Sequence, residues 1–194
     1  MPNLDLLSAV KSITIFPGEN VEELTRIEQV FLTECDPQSY TERVIVRELV
    51  ATIWEEFRFR RIRDNLIMSA RINIIQSRLT SLLINDPEAY EKLGKSAWDE
   101  GDNPFDSTRE LAERFVRGDA QAQDCILYFL TKYKITQDEI VAEAAAQRLD
   151  QITVLEKTIA DIVRRRDKCI LDLDRRKERR EQLRALASSL AEVK

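Results

Sequence analysis

From Asp119 to Lys194 the chain contains neither glycine nor proline, and from Thr136 onward its apolar residues recur at helical spacing almost to the end. Such a segment has no turn chemistry with which to fold back on itself. Read as one helix, Gln137 to Glu192 spans roughly 84 Å at 1.5 Å per residue, well beyond the three or four turns of an ordinary globular helix. A helix that long buries its apolar stripe only against another long element. The expectation is therefore an all-α protein built on two long helices that form a helical hairpin or coiled coil, with a small helical cap between them.

The start of the last helix is marked by Thr136 and Glu139, which have the spacing of a capping box and bring Asp138 and Glu139 to the positive end of the helix dipole. With Ile152 at position a of a heptad, the a/d pairs are Ile152 and Leu155, Ile159 and Ile162, Arg166 and Cys169, Leu173 and Arg176, Arg180 and Leu183, then Ala187 and Leu190. The apolar members of this seam are Ile152, Leu155, Ile159, Ile162, Leu173 and Leu183, and the charged interruptions are all arginines. Those arginines either lie at the seam's edge and pair with carboxylates on the facing helix, or fix register as polar a positions do.

A second long helix is predicted from about Tyr40 to Ile84, opened by a Ser39/Glu42 capping box after Pro37 and stopped by Asp86-Pro87. Val46, Leu49, Val50, Ile53, Trp54 and Phe57 form one apolar stripe on it, and Ile67, Met68, Ile72, Ile75, Leu79 and Leu82 resume that stripe. Arg60, Arg61 and Asp64 make a polar waist between them, which reads as a kink or as an ion-paired layer against another helix, the layer favoured because no glycine or proline is present to kink the helix. The segments then read as 1–38, an N-terminal segment with a short helix; 39–86, the first long helix; 87–135, the cap; and 136–194, the long C-terminal helix.

In the first segment, Phe16-Pro17-Gly18-Glu19 is a turn, and Asn20 with Glu23 caps a helix to about Glu34 that buries Leu24, Ile27, Val30 and Phe31. In the cap, Pro87 opens a short helix through Tyr90 and Leu93, which Gly94 ends. Asp99-Glu100-Gly101-Asp102-Asn103-Pro104 is a polar loop after Trp98. Ser107 and Glu110 cap a helix whose Leu111, Phe115 and Val116 end at Gly118, and the helix from Asp119 to Lys134 carries Cys125, Ile126, Leu127, Phe129 and Leu130 as core with Trp98 and Phe115.

Composition argues against catalysis. The chain has no histidine, which removes the usual general base, the Ser-His and Cys-His nucleophile pairs and imidazole metal ligands. Its four glycines are isolated, so no phosphate loop exists. Asp99, Asp102 and Asp106 do not have the spacing of an EF-hand and read as a solvated loop. Neither a cofactor, a metal nor a small-molecule substrate is expected. Cys35, Cys125 and Cys169 are too far apart in sequence for a disulfide framework or paired zinc ligands, which suits reduced thiols. No apolar run approaches the ~20 residues that cross a bilayer, and no basic region precedes a hydrophobic one at the N-terminus, so a cytoplasmic protein without membrane contact is expected.

Two basic zones carry the only functional signal. Arg58, Arg60, Arg61 and Arg63 lie within two turns of the first long helix, and Arg164, Arg165, Lys168, Arg175, Arg176, Lys177, Arg179 and Arg180 run along the last one. Clustered Arg and Lys displace counterions from phosphate, which makes these residues the candidates for binding nucleic acid. Against that stand the net charge of −5 and the interleaved Asp161, Asp167, Asp172, Asp174, Glu178 and Glu181, at spacings that suit pairs within the helix.

The pattern Pro17-Gly18-Glu19, Glu42-Arg43, Val46, Leu49-Val50, Trp54, Arg58 and Arg60-Arg61, with Leu155-Glu156-Lys157, Ile159, Arg165-Arg166-Asp167 and Asp174-Arg175-Arg176, resembles a family of uncharacterised bacterial proteins. The resemblance covers about half the chain and implies a helical architecture with an Arg-rich C-terminal helix; it brings no agreed activity. Residues 1–12 do not show the Ser-, Gly-, Lys- and Asn-rich basic arm common in that family. The reading is a non-catalytic oligomerising or scaffolding protein of the bacterial cytoplasm, its partner a second copy or another helical protein. The alternative is a nucleic-acid-binding accessory protein of a mobile element or phage.

Overall fold

The computed structural model describes residues 13–85 and 104–192. Their elements are six α-helices, with no strand among the described residues: α1 (Val21–Cys35), α2 (Tyr40–Asn85), α3 (Pro104–Val116), α4 (Ala120–Lys132), α5 (Gln137–Gln147) and α6 (Leu149–Glu192). The all-α class holds. Two long helices and a cap do not by themselves describe it, because four further helices share the work of making cores. The short helix expected from Pro87 through Tyr90 and Leu93 to Gly94, Trp98, and the loop through Asp99 and Asp102 to Asn103 lie outside the described residues.

Local chemistry sets most of the helix ends. Asn20 Oδ1 accepts from the amides of Glu22 and Glu23, and Asp119 caps α4 through the Ala122 amide. Both capping boxes form reciprocally, Ser39 with Glu42 and Thr136 with Glu139. The helix α3 starts at Pro104, not at the Ser107 cap, since proline at a first helical position needs no amide partner. It ends in a Schellman motif, with Asp119 N–H on Arg114 O and Gly118 N–H on Phe115 O, both 3.0 Å, and Gly118 at φ 87°. The same two-bond motif closes α4 with Lys134 at φ 56° in the glycine position.

The continuous helix expected from Gln137 is interrupted once, at Arg148, which leaves helical geometry at φ −114° and ψ 13°. The last turn of α5 tightens there, Arg148 N–H reaching Ala145 O at 3.2 Å, and α6 restarts with Ile152 N–H on Arg148 O. No glycine or proline marks the site. A tightened final turn is available to any sequence, so nothing in residue type announces it.

The chain divides into two compact units, one made of Met1–Arg60 and Glu156–Lys194 and the other of Arg61–Leu155. The division falls in the polar waist of α2, where no apolar side chain is buried between Glu56 and Ala70. In the waist Arg60 pairs with Glu56 one turn back at 2.8 Å, and Arg63 with its neighbour Asp64.

The second unit holds the largest core. Ala70, Ile74, Ile75 and Leu79 of α2, Leu111, Ala112 and Phe115 of α3, Ala122, Ile126, Phe129 and Leu130 of α4, and Ile140 and Ala144 of α5 form one buried cluster. Leu127, expected in it, is 37% exposed, because the buried stripe runs through positions 122, 126, 129 and 130. Ile152 and Leu155 are half-buried in this unit.

In the first unit, Leu24, Val50 and Trp54 pack with Ile13, Ile27 and Phe31, while Val46, Leu49 and Leu173 pack with Leu32, Cys35, Ile45, Ile53 and Cys169. Val30 and Phe57, expected inside, are both exposed. On α6 Ile159, Ile162 and Leu173 are buried, whereas Leu183, expected in the seam, is 59% exposed. The seam stops because its neighbour α2 begins at Tyr40, opposite Arg180.

Candidate functional site

Within the first unit the α2 and α6 segments run antiparallel in a single register. Glu42 meets Arg180 at 2.8 Å, Leu49 packs with Leu173, and Glu56 meets Arg166 at 2.7 Å. On each helix the three residues are seven apart, so the same face returns at every layer. The arginines at a positions are thus paired with carboxylates of the facing helix, at both ends of a leucine layer. Glu56 also takes Arg60, and Arg165 pairs with Glu55. Burial raises the Glu42 carboxyl pKa, but the Gln38 and Ser39 amides and Arg180 outweigh it and hold the group below its ordinary value.

A second constellation lies at the other end of this α2 segment. Pro17 and the left-handed Gly18 (φ 88°) make a turn closed by Glu19 N–H on Phe16 O at 3.1 Å. The turn delivers the Glu19 carboxylate to Arg58, which donates through Nε at 2.6 Å and Nη2 at 2.9 Å, and to Trp54 Nε1 at 3.2 Å. Arg58 also donates to Thr14 O and lies 4.3 Å from the Phe16 ring centroid. Hydrogen bonding to Arg58, with help from the Phe16 amide and Trp54, lowers the Glu19 pKa to about 2 against the opposing effect of burial.

These contacts sort the twelve basic candidates. Arg58, Arg60, Arg63, Arg164, Arg165 and Arg180 are in ion pairs, Arg164 with Asp161 on its own helix. Arg175 reaches Asp172 only at 3.8 Å, and Lys177 reaches the Glu34 carbonyl at 3.5 Å. Arg61 and Lys168 are exposed. Arg176 and Arg179 make no ion pair with the described residues and line a cleft of about 670 Å³ together with Arg175, Arg180 and Arg184. Arg184 was not among the candidates; its one-turn spacing from Arg180 is the signal that would have added it.

Burial pushes all three thiols up, so Cys35, Cys125 and Cys169 are poor thiolates. Among the described residues no group of three His, Cys, Asp or Glu could hold a metal ion, and no helix is long and apolar enough to cross a membrane.

Fold and site together define an all-helical protein of two compact units, with an ion-layered helix pair in one and an arginine-lined cleft at the end of that pair. Compared with protein-family models, curated proteins and solved structures, the chain matches none.

Proposed function

We propose that this is a non-catalytic scaffolding protein in which α2 and α6 form the arms of a helical hairpin, and which assembles with a second copy of itself through the end of α6. The observation that carries this reading is the exposure of Leu183, Leu186 and Leu190, at 59%, 60% and 70%. Leu183, Ala187 and Leu190 continue the heptad register beyond Arg180, where α2 has ended, and Leu186 flanks them at position g. The heptad register of an existing helix pair running on without a partner among the described residues suits a coiled-coil contact between copies.

Magnitudes place such a contact in the reversible range. Full burial of a leucine contributes about 1.5–3 kcal/mol, and six from two chains oppose an association cost of 4–15 kcal/mol. Light scattering coupled to size exclusion, run across a concentration series, tests the reading. A mass that rises with concentration, and stays at one chain in Leu186→Glu, supports it; one chain throughout the series overturns it. Placement in a bacterium rests on the family resemblance, and placement in the cytoplasm on three cysteines whose spacing suits reduced thiols. The alternative, a nucleic-acid-binding accessory protein of a mobile element or phage, rests on those arginines of α6 that have no ion-pair partner among the described residues.

A further inference from the structure

We propose that the cleft at the end of α6 is a binding site for clustered phosphate groups, with Arg176, Arg179 and Arg184 as its principal ligands. Among the described residues five guanidinium groups face this cleft and two carboxylates, Glu42 and Asp172. Glu42 is already taken by Arg180 at 2.8 Å and by the amides that it caps, while Asp172 stands beside Arg175 at 3.8 Å. The charge of the other three arginines is left to solvent or to a ligand. Arg180 adds an Nε that is buried and has no hydrogen-bond partner among the described residues.

Helical spacing gives the site its pattern. Arg176, Arg180 and Arg184 follow one another at four-residue intervals, about 5–6 Å between Cβ atoms, and Arg175 and Arg179 form a second row beside them. Guanidinium groups in such rows can each donate two parallel N–H bonds to a phosphate, which a lysine row cannot. Leu183 and Ala187 supply an apolar floor, and the volume falls in the range of small-ligand sites, far above that of one phosphate. Phosphate groups in series, in a free polyphosphate or along a nucleic-acid backbone, are the chemistry that fits. Arg58, Arg60, Arg165 and Arg166 take no part, since their charge is spent on Glu19, Glu56 and Glu55.

The test uses the full chain and two probes, inorganic triphosphate by calorimetry and a fluorescent single-stranded oligonucleotide by anisotropy, both at low salt. Three proteins are compared: wild type, the cleft variant Arg176→Gln/Arg179→Gln/Arg184→Gln, and the control Lys157→Gln/Arg164→Gln/Lys168→Gln, which loses the same charge from α6 outside the cleft. All the replaced side chains are on exposed residues, and helicity by circular dichroism confirms that each variant folds. The expected result is at least tenfold weaker binding in the cleft variant and little change in the control. With the oligonucleotide, the log-log salt slope should fall in magnitude by roughly 2 in the cleft variant alone, at about 0.7 per lost phosphate contact. Triphosphate binding without oligonucleotide binding assigns the site to a small ligand; displacement of the oligonucleotide by triphosphate assigns it to the backbone. Absence of binding to both probes, or equal weakening by the cleft and control variants, overturns the proposal. Leu183 and Ala187 belong to both surfaces, so a second copy and a phosphate ligand compete for this end of α6. The scaffold reading is still judged by mass and this one by ligand binding, and either can fail alone.

Discussion

Glu19 and Arg58, 39 residues apart, form a two-point ion pair in which Nε and Nη2 of the guanidinium each hold one carboxylate oxygen, and Trp54 completes the grip from the turn above on α2. The pair is 9% exposed on the Glu19 side and 15% on the Arg58 side. Screening by solvent and salt is therefore weak, and the contact ties the 16–19 turn, with the helix that follows it, onto α2.

Glu19→Gln keeps the shape and removes the charge. It should destabilise the first unit by about 2 kcal/mol, as expected for charge-assisted bonds to a nearly buried partner. Chemical denaturation followed by the fluorescence of Trp54 in a Trp98→Phe background reads the change, and an unaltered midpoint would show that the turn is not held by this pair.

The pH dependence of the same contact has a definite sign. Glu19 titrates near 2 when folded and near 4.5 otherwise, so its stabilisation is complete above about 4.5 and disappears as pH falls toward 2. Wild type should lose stability across that window more steeply than Glu19→Gln, measured by thermal melts at intervals of pH. Parallel curves would contradict the assignment.

The paired ion layers make a prediction by exchange. Glu56→Arg alone sets three guanidinium groups together, with Arg60 and Arg166, and should cost about 2–4 kcal/mol; Glu56→Arg with Arg166→Glu should recover more than half of that loss. A double-mutant cycle at this pair measures the coupling. Strictly additive losses would mean that the two helices are aligned by their apolar layer alone.

Core substitutions should separate neighbours on one helix. Phe129→Ala in the second unit is expected to cost about 3–5 kcal/mol, and Leu127→Ala two residues earlier less than 1 kcal/mol. On α6, Ile162→Asp, with Ile162 2% exposed, should be far more damaging than Leu155→Asp at a half-buried site. Thermal unfolding of the four variants gives the order, and a reversal within either pair would show that the burial pattern is wrong.

What was legible in the sequence was local. The capping boxes at Ser39 and Thr136, the Asn20 cap and the Pro17-Gly18 turn each need only a few neighbouring residues, and all were readable as written. The heptad at Ile159 and Ile162 was legible for the same reason. The partners of Arg166 and Arg180 were not, since Glu56 and Glu42 lie more than a hundred residues away and any carboxylate on a facing helix would have served. The link between Glu19 and Arg58 is not legible in the sequence, although both residues stand among those its patterns single out. In sequence Arg58 stands with its basic neighbours, whereas in the fold it is bound to the turn at residues 16–19. The end of the seam before Leu183 depends on where α2 begins, which periodicity in α6 alone does not contain.

The layers Glu42–Arg180, Leu49–Leu173 and Glu56–Arg166 also bear on how this chain can change in length. One residue added to α6 between Arg166 and Arg180 turns every later side chain by about 100° and leaves a carboxylate facing the wrong surface. Only a seven-residue step, made in both helices at once, would restore all three layers. Length variation among descendants of this sequence should therefore collect in the connections, such as residues 36–39, and the spacing between the two ion layers should behave as a fixed ruler while the sequence around it drifts.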